Sequence, residues 1–185
     1  MQETNLKPAM EYLAQRYPDL QLSVRHDDDL QPSLEALRRG TADILIQPST
    51  ILDERYVEHH HWCDDYRLIV PSASQAGRTL IEIAQTVPYV AWRHAGIDRL
   101  HSQLFTDQLR LRHRGELSCL ETLLELVIDG HYLSVLPSAL LPDLDPRVQY
   151  LPLPAPVARR ISVIARPISL LSNAAIAVLE ALKLA

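Results

Sequence analysis

The most telling stretch of this chain is Ser118-Cys119-Leu120-Glu121-Thr122-Leu123-Leu124-Glu125-Leu126-Val127-Ile128-Asp129-Gly130-His131-Tyr132-Leu133-Ser134-Val135-Leu136-Pro137-Ser138. Leu120, Leu123, Leu124, Val127 and Ile128 recur at helical spacing and make one apolar stripe, so the first half reads as an amphipathic helix. Ser118 is placed to cap its start. Gly130 is placed to end it, because glycine enters the left-handed region without a Cβ penalty. Tyr132 to Leu136 is too short for a second helix and rich in strand formers, and Pro137 takes the chain out of the strand.

The same alternation runs outward in both directions. Asn5 is placed to cap a first helix to about Tyr17, with Leu6, Met10, Leu13 and Ala14 on its apolar side and Pro18 as its stop. Leu20, Leu22 and Val24 alternate with polar residues and predict a strand with one buried face. Asp28 or Asp29 would cap a helix carrying Leu30, Leu34 and Leu37 and ending at Gly40. Ile44 to Ile46 is continuously apolar, the pattern of a strand covered on both faces.

Beyond Pro71, a Ser/Ala-rich connector leads to a short helix at about Leu80 to Ala84. A strand (Tyr89 to Trp92), a helix (Ile97 to Phe105) and a strand (Arg110 to Leu117) follow. After the opening stretch come loops around a short extended run, Val148 to Leu151, then a buried strand, Ile161 to Ala165, and a last helix capped by Ser172. Strands alternating with helices predict an α/β architecture with mainly parallel strands.

Composition narrows the function. A chain of 185 residues can bury one core or two smaller ones, and a formal charge of −5 gives no electrostatic reason to bind nucleic acid. No segment is long and apolar enough to span a membrane, and Met1 to Pro8 does not have the pattern of a secretory leader. Cys63 and Cys119 alone imply no disulfide framework, so a reducing cytoplasm is the simplest reading. There is no phosphate loop, nucleophile elbow or helical histidine pair, and neither catalysis nor a cofactor is expected.

Three weaker chemical readings stand beside plainer ones. His59, His61 and Cys63 fall on one side of a strand and could collect a metal, but no second ligand pair follows at zinc-site spacing. The plainer reading is a polar strand leading into Leu68-Ile69-Val70. His26-Asp27-Asp28-Asp29 lacks the glycine and spaced acids of a calcium loop and reads as a helix cap. Cys119 near a helix start has a favoured thiolate, yet a small buried side chain at the start of a helix is the better reading.

Ligands of open α/β lobes sit beyond the carboxyl ends of strands, often at helix starts. Three positions meet that condition: Gln47-Pro48-Ser49, Trp92-Arg93-His94 and Leu136-Pro137-Ser138. Ser118 and Cys119 add backbone donors where their helix begins. Arg93 suits a carboxylate or phosphate, and Trp92 can pack on a flat organic ligand. For each residue the plainer alternative is a turn or a cap.

The helix–glycine–strand–proline unit resembles the second half of the effector-binding domain of LysR-type transcriptional regulators. Leu6-Lys7-Pro8 through Tyr17-Pro18-Asp19-Leu20 looks like that family's first helix and its exit into a strand. Leu37, Gly40, Asp43 and Ile44-Leu45-Ile46 match its next helix end and buried strand. Arg67-Leu68-Ile69-Val70-Pro71 and Ile161 to Arg166 look like its two crossings, and Leu171-Ser172 with an Ala-rich helix looks like its close.

The resemblance implies two Rossmann-like lobes joined by two crossing strands, as in type 2 periplasmic binding proteins. Lobe I would take residues 1–70 and 163–185, and lobe II the inserted residues 71–162. It further implies a small effector in a cleft, with Thr4 and Asn5 as the remnant of the first cleft loop. A homodimer or homotetramer would form through the helices 5–17 and 118–129. DNA would be contacted only through a winged helix-turn-helix that these residues do not include.

The chain departs from the family pattern by starting almost at the first helix, so it reads as a piece of a regulator or as one begun at an internal methionine. The peroxide-sensing branch carries its cysteines near the region of Ala95 to Phe105, which has none here. The alternatives are a free-standing cytoplasmic solute-binding module of the same fold and a metal sensor.

Overall fold

The computed structural model describes residues 3–26, 30–75, 77–106, 109–141 and 145–185, with backbone alone at 3–5 and 105. In chain order the first elements are α1 (Glu3–Arg16), α2 (Glu35–Arg38), β1 (Ile44–Pro48), β2 (Val57–Pro71) and α3 (Ser72–Gln75). Next come α4 (Leu80–Thr86), β3 (Tyr89–Trp92), α5 (Ile97–Thr106), β4 (His113–Leu117), α6 (Leu120–Ile128) and β5 (Ser134–Pro137). The last are β6 (Val148–Pro152), β7 (Ala158–Ala165) and α7 (Asn173–Leu184), with 3₁₀ turns at Ser138–Leu140 and Ile168–Leu170. The chain divides into two compact units, Met1–Cys63 with Arg160–Ala185, and Asp64–Arg159. Strands β2 and β7 each start in one unit and finish in the other.

In the first unit β7 pairs antiparallel with β1, with Leu45 opposite Ile164 and Gln47 opposite Ser162. Residues alternate across a strand, so β1 serves two cores at once. Ile44 and Ile46 face a cluster of Ala9 and Leu13 from α1, Val163 and Ala165, and Leu179 and Leu182 from α7. Leu45 faces the other side, with Leu34, Leu37, Tyr56 and Ile164. Both layers are present, yet every β1 residue is only half-buried. The expected cover on both faces is thus present though partial, and among the described strands β1 pairs β7 alone.

Several local expectations shift for physical reasons. Helix α1 begins at Glu3, so Asn5 lies inside it rather than capping it. Its buried stripe is Ala9 and Leu13, one turn apart, while Met10 and Ala14 are exposed. Leu20 to Val24 forms no strand. No described strand runs beside it, and Leu22 and Val24 stay 41% and 40% exposed, leaving no ladder and little burial to hold it. The helix expected after Asp28 or Asp29 shortens to Glu35–Arg38, just beyond Pro32, with the Ser33 hydroxyl accepting the Glu35 N–H. Asp28 and Asp29 lie outside the described residues.

The second unit carries a sheet in which β2 lies between β5 and β6, antiparallel to both. Strands β3 and β4 are parallel, and Tyr89 makes a parallel bridge to Leu133 beside β5. The expected mainly parallel sheet is therefore mixed. The long β2 and the returning β7 run against their neighbours, and only β3, β4 and β5 follow the βαβ pattern that makes neighbours parallel. Ser134, fully buried in β5, donates its hydroxyl to the Val90 carbonyl.

Helix α6 buries Leu123 and Val127 against Ile69, Val90, Leu136 and Val148. Each fully buried aliphatic of this kind contributes about 1.5–3 kcal/mol. The N-cap position falls on Cys119, without a side-chain capping bond, so Ser118 is not the cap. Its end is as expected: Gly130 sits at φ 86°, with Gly130 N–H to Val127 O and His131 N–H to Leu126 O closing the last turn.

Candidate functional site

Strands β3 and β5 end close to one another's continuation, and their last residues meet a polar network. Trp92 is nearly buried, and its indole N–H donates to the Ser118 carbonyl at 3.3 Å, tying the end of β3 to the approach to α6. His94 stacks on the Trp92 ring at 4.3 Å and 11°. His94 Nδ1 lies 2.7 Å from the Trp92 carbonyl oxygen, which can only accept, so Nδ1 carries the proton. Nε2 is then the acceptor for the Tyr66 hydroxyl at 2.8 Å.

Burial pushes the His94 imidazole down to about 4, with the Arg159 charge adding to the effect and the bond to the Trp92 carbonyl opposing it. The ring is neutral at physiological pH. Burial likewise raises the Tyr66 phenol to about 12.

Tyr66 belongs to β2, and the Arg159 guanidinium of β7 lies 6.0 Å from its ring centroid. Arg159 grips Asp64 with both arms of its fork, Nε to Oδ1 at 2.7 Å and Nη2 to Oδ2 at 2.6 Å, and both side chains are about nine-tenths buried. Asp64 Oδ2 also accepts the Ala139 N–H at 3.3 Å, in the turn that follows buried Pro137. Ser138 Oγ accepts the Asp65 N–H at 3.5 Å.

Arg93 stands between the stacked rings in sequence but differs from them in environment. Its backbone continues the β3–β4 ladder to Leu117 O at 2.8 Å. Its side chain is exposed and makes no ion pair or hydrogen bond among the described residues. Cys119 is exposed rather than buried as expected, because it precedes the apolar stripe of α6, and its thiol is pushed down by the Thr122 hydroxyl, which donates to Sγ at 3.3 Å, and by the Thr122 backbone amide.

The first unit holds Gln47 and Ser49 at the end of β1. Ser49 Oγ lies 2.5 Å from Ser162 Oγ, and Ser49 N–H donates to Arg160 O at 3.0 Å. Ser162 donates to Glu58, whose carboxylate also takes both arms of Arg160. The Arg160 bonds hold the Glu58 carboxyl below its usual range, aided by Ser162. The Gln47 amide nitrogen is buried without a hydrogen-bond partner among the described residues. The side chains of Thr4 and Asn5 lie outside the described ones.

The structure thus connects Trp92, His94, Ser118 and Ser138 through one second-unit network, leaves Arg93 and Cys119 at its exposed margin, and groups Gln47 with Ser49 in the first unit. Sequence reasoning missed Asp64, Tyr66 and Arg159, and also Glu58, Arg160 and Ser162. A tyrosine and an acid at alternate strand positions just before an apolar run were the available signal. The metal-binding alternative is not assembled: His59 Nε2 sits 2.8 Å from Arg166 O, and His61 lies beside Glu58 and Arg160. Among the described residues no group of three or more His, Cys, Asp or Glu is placed to hold a metal ion. Among them, too, no helix is long and apolar enough to cross a membrane.

The profile of the LysR substrate binding domain matches residues 1–185, and the chain belongs to that family. The family is regulatory, part of transcription factors rather than enzymes. Solved structures agree on the fold. Reduced OxyR from N. meningitidis superposes with a TM-score of 0.70 at 19% identity, covering 97% of this chain and 87% of that one. HinK, a LysR family regulator from Pseudomonas aeruginosa, gives 0.71 at 14% identity, with coverage of 96% and 65%. Full-length CbnR in complex with its target DNA gives 0.67 at 14% identity, and this chain spans 64% of that protein's length. The search of curated proteins gave no match. The fold is the α/β, type 2 periplasmic-binding-protein-like fold of LysR regulatory domains, with β2 and β7 as the two crossing strands.

Proposed function

We propose that this chain senses a small organic anion on behalf of a cytoplasmic LysR-type transcriptional regulator and has no catalysis of its own. The observation that carries the choice of ligand is Arg93: an exposed guanidinium without a carboxylate partner among the described residues, at the end of β3 beside the Trp92–His94 stack. An anion gains a charge-assisted fork there, and Trp92, His94, Ser118, Cys119, Pro137 and Ser138 frame it. In the lobe of residues 1–70 and 163–185 the effector-binding residues we assign are Thr4, Asn5, Gln47 and Ser49. The lobe of residues 71–162 carries the anion site. The unpartnered Gln47 amide supports an acceptor atom on the ligand.

The effector acts by binding one arrangement of the regulator better than another, since only differential affinity can shift a conformational equilibrium. The oligomer pairs helix 5–17 of one subunit with helix 118–129 of another. Met10 and Tyr17, exposed on or just after α1, support that pairing. So does the exposed row Glu121 and Glu125 on α6 with Asp129 just past its end, which suits a charged rim. DNA is contacted by a domain outside these residues.

A thermal-shift screen against organic acids, run in parallel on Arg93→Ala, tests this reading, because a ligand that binds only the folded state raises the melting temperature by mass action. An acid that stabilises the native sequence but not the variant is the expected result. Stabilisation of equal size in both discards the anion site at Arg93 while keeping the sensor.

A further inference from the structure

We propose that Tyr66, Arg159 and Asp64 form a buried relay coupling the Trp92–His94 strand end to the Ser138–Leu140 turn, so that a change at one is felt at the other and along β2 and β7. The chain of contacts is continuous. The Trp92 carbonyl and ring fix the plane of His94. His94 Nε2 takes the Tyr66 hydroxyl, and the Tyr66 ring lies beneath the Arg159 guanidinium. The guanidinium holds both oxygens of Asp64, and Asp64 holds the Ala139 amide.

Three physical points favour coupling over plain stability. An ion pair buried to this degree stabilises a fold no better than two well-packed apolar side chains, because desolvation offsets the Coulomb gain. What the pair supplies instead is geometry: a bidentate fork permits one orientation, and the tyrosine ring under it inherits that orientation. The joints are also spread over four parts of the second unit. β3 contributes Trp92 with His94 just after it, β2 contributes Tyr66 and Asp64, β7 contributes Arg159, and Ala139 belongs to the turn after β5. The two ends of the relay are two of the second-unit positions that the proposed effector site uses. Its regulatory meaning therefore rests on that reading, whereas the coupling is measurable with no ligand.

Hydrogen–deuterium exchange on the whole chain, followed peptide by peptide, tests the relay. Tyr66→Phe removes one hydroxyl and keeps the ring. The relay predicts about threefold or greater acceleration of exchange both at 92–97 and at 138–141 with 157–160, although the ring that remains in this variant still stacks on Arg159. Asp64→Asn should act in reverse, loosening 92–97 from the far end. Adding Tyr66→Phe to Asp64→Asn should then cost much less than it does alone. Acceleration confined to the peptides that touch each altered side chain, with additive effects in the double variant, overturns the proposal. Tyr66→Phe alone decides the first point if Asp64→Asn does not fold. A silent effector screen beside non-additive exchange would sink the anion reading and leave the relay standing.

Discussion

His94 shows how much a single residue's surroundings decide. Its unfolded value is 6.5 and its folded value about 4, so the unfolded chain takes up the proton first as pH falls. The stabilising share is complete above about pH 6.5 and is lost progressively toward pH 4, on the order of 3 kcal/mol in all. His101, also lowered mainly by burial, adds to the same trend. Urea midpoints measured between roughly pH 7.5 and 4.5 should therefore fall for the native chain and fall less for His94→Gln. Parallel declines would refute the assignment to His94.

The residues at strand ends were readable because topology alone brings Trp92, His94, Pro137 and Ser138 to one side. The pairing of Asp64 with Arg159 was not readable, since 95 positions separate them and nothing local marks a partner that distant.

At the scale of elements, helix α6 was legible because every local signal agreed: apolar spacing, glycine at the end, strand formers beyond it. Gly130 should be the most sensitive position of that ending. A Cβ there meets nothing within 4 Å, but φ is +86°, so Gly130→Ala costs about 1 kcal/mol through backbone strain rather than collision. The melting temperature should drop by about 2–4 °C with the ligand-free fold otherwise unchanged. An unaltered melt would show that the closing turn is not held in the left-handed conformation.

Leu20 to Val24 carries the alternation of a strand as clearly as β5 carries its own pattern. Alternation states only which face is apolar, and a strand also needs a neighbour for its amides. The first-unit helix fell short for a related reason. Leu30, Leu34 and Leu37 have the spacing, but Pro32 intervenes before a turn can form.

For the molecule as a whole, β1 has the composition of an interior strand and, among the described strands, the position of a border. The Ser49 amide points to β7, so the alternate residues Ile44, Ile46 and Pro48 turn their backbone away from it. Pro48 has no N–H to present. Ile44 and Ile46 do, flanked by apolar side chains, and that is the template on which another chain adds by main-chain pairing. At rising concentration this chain should therefore stick to itself along β1, seen as light scattering that grows with time and with a β-sheet signature. Ile46→Pro, which deletes one outward donor while leaving the β7 ladder its own bonds, should slow that growth. The shelf life of a purified sample would then be set by two amide hydrogens.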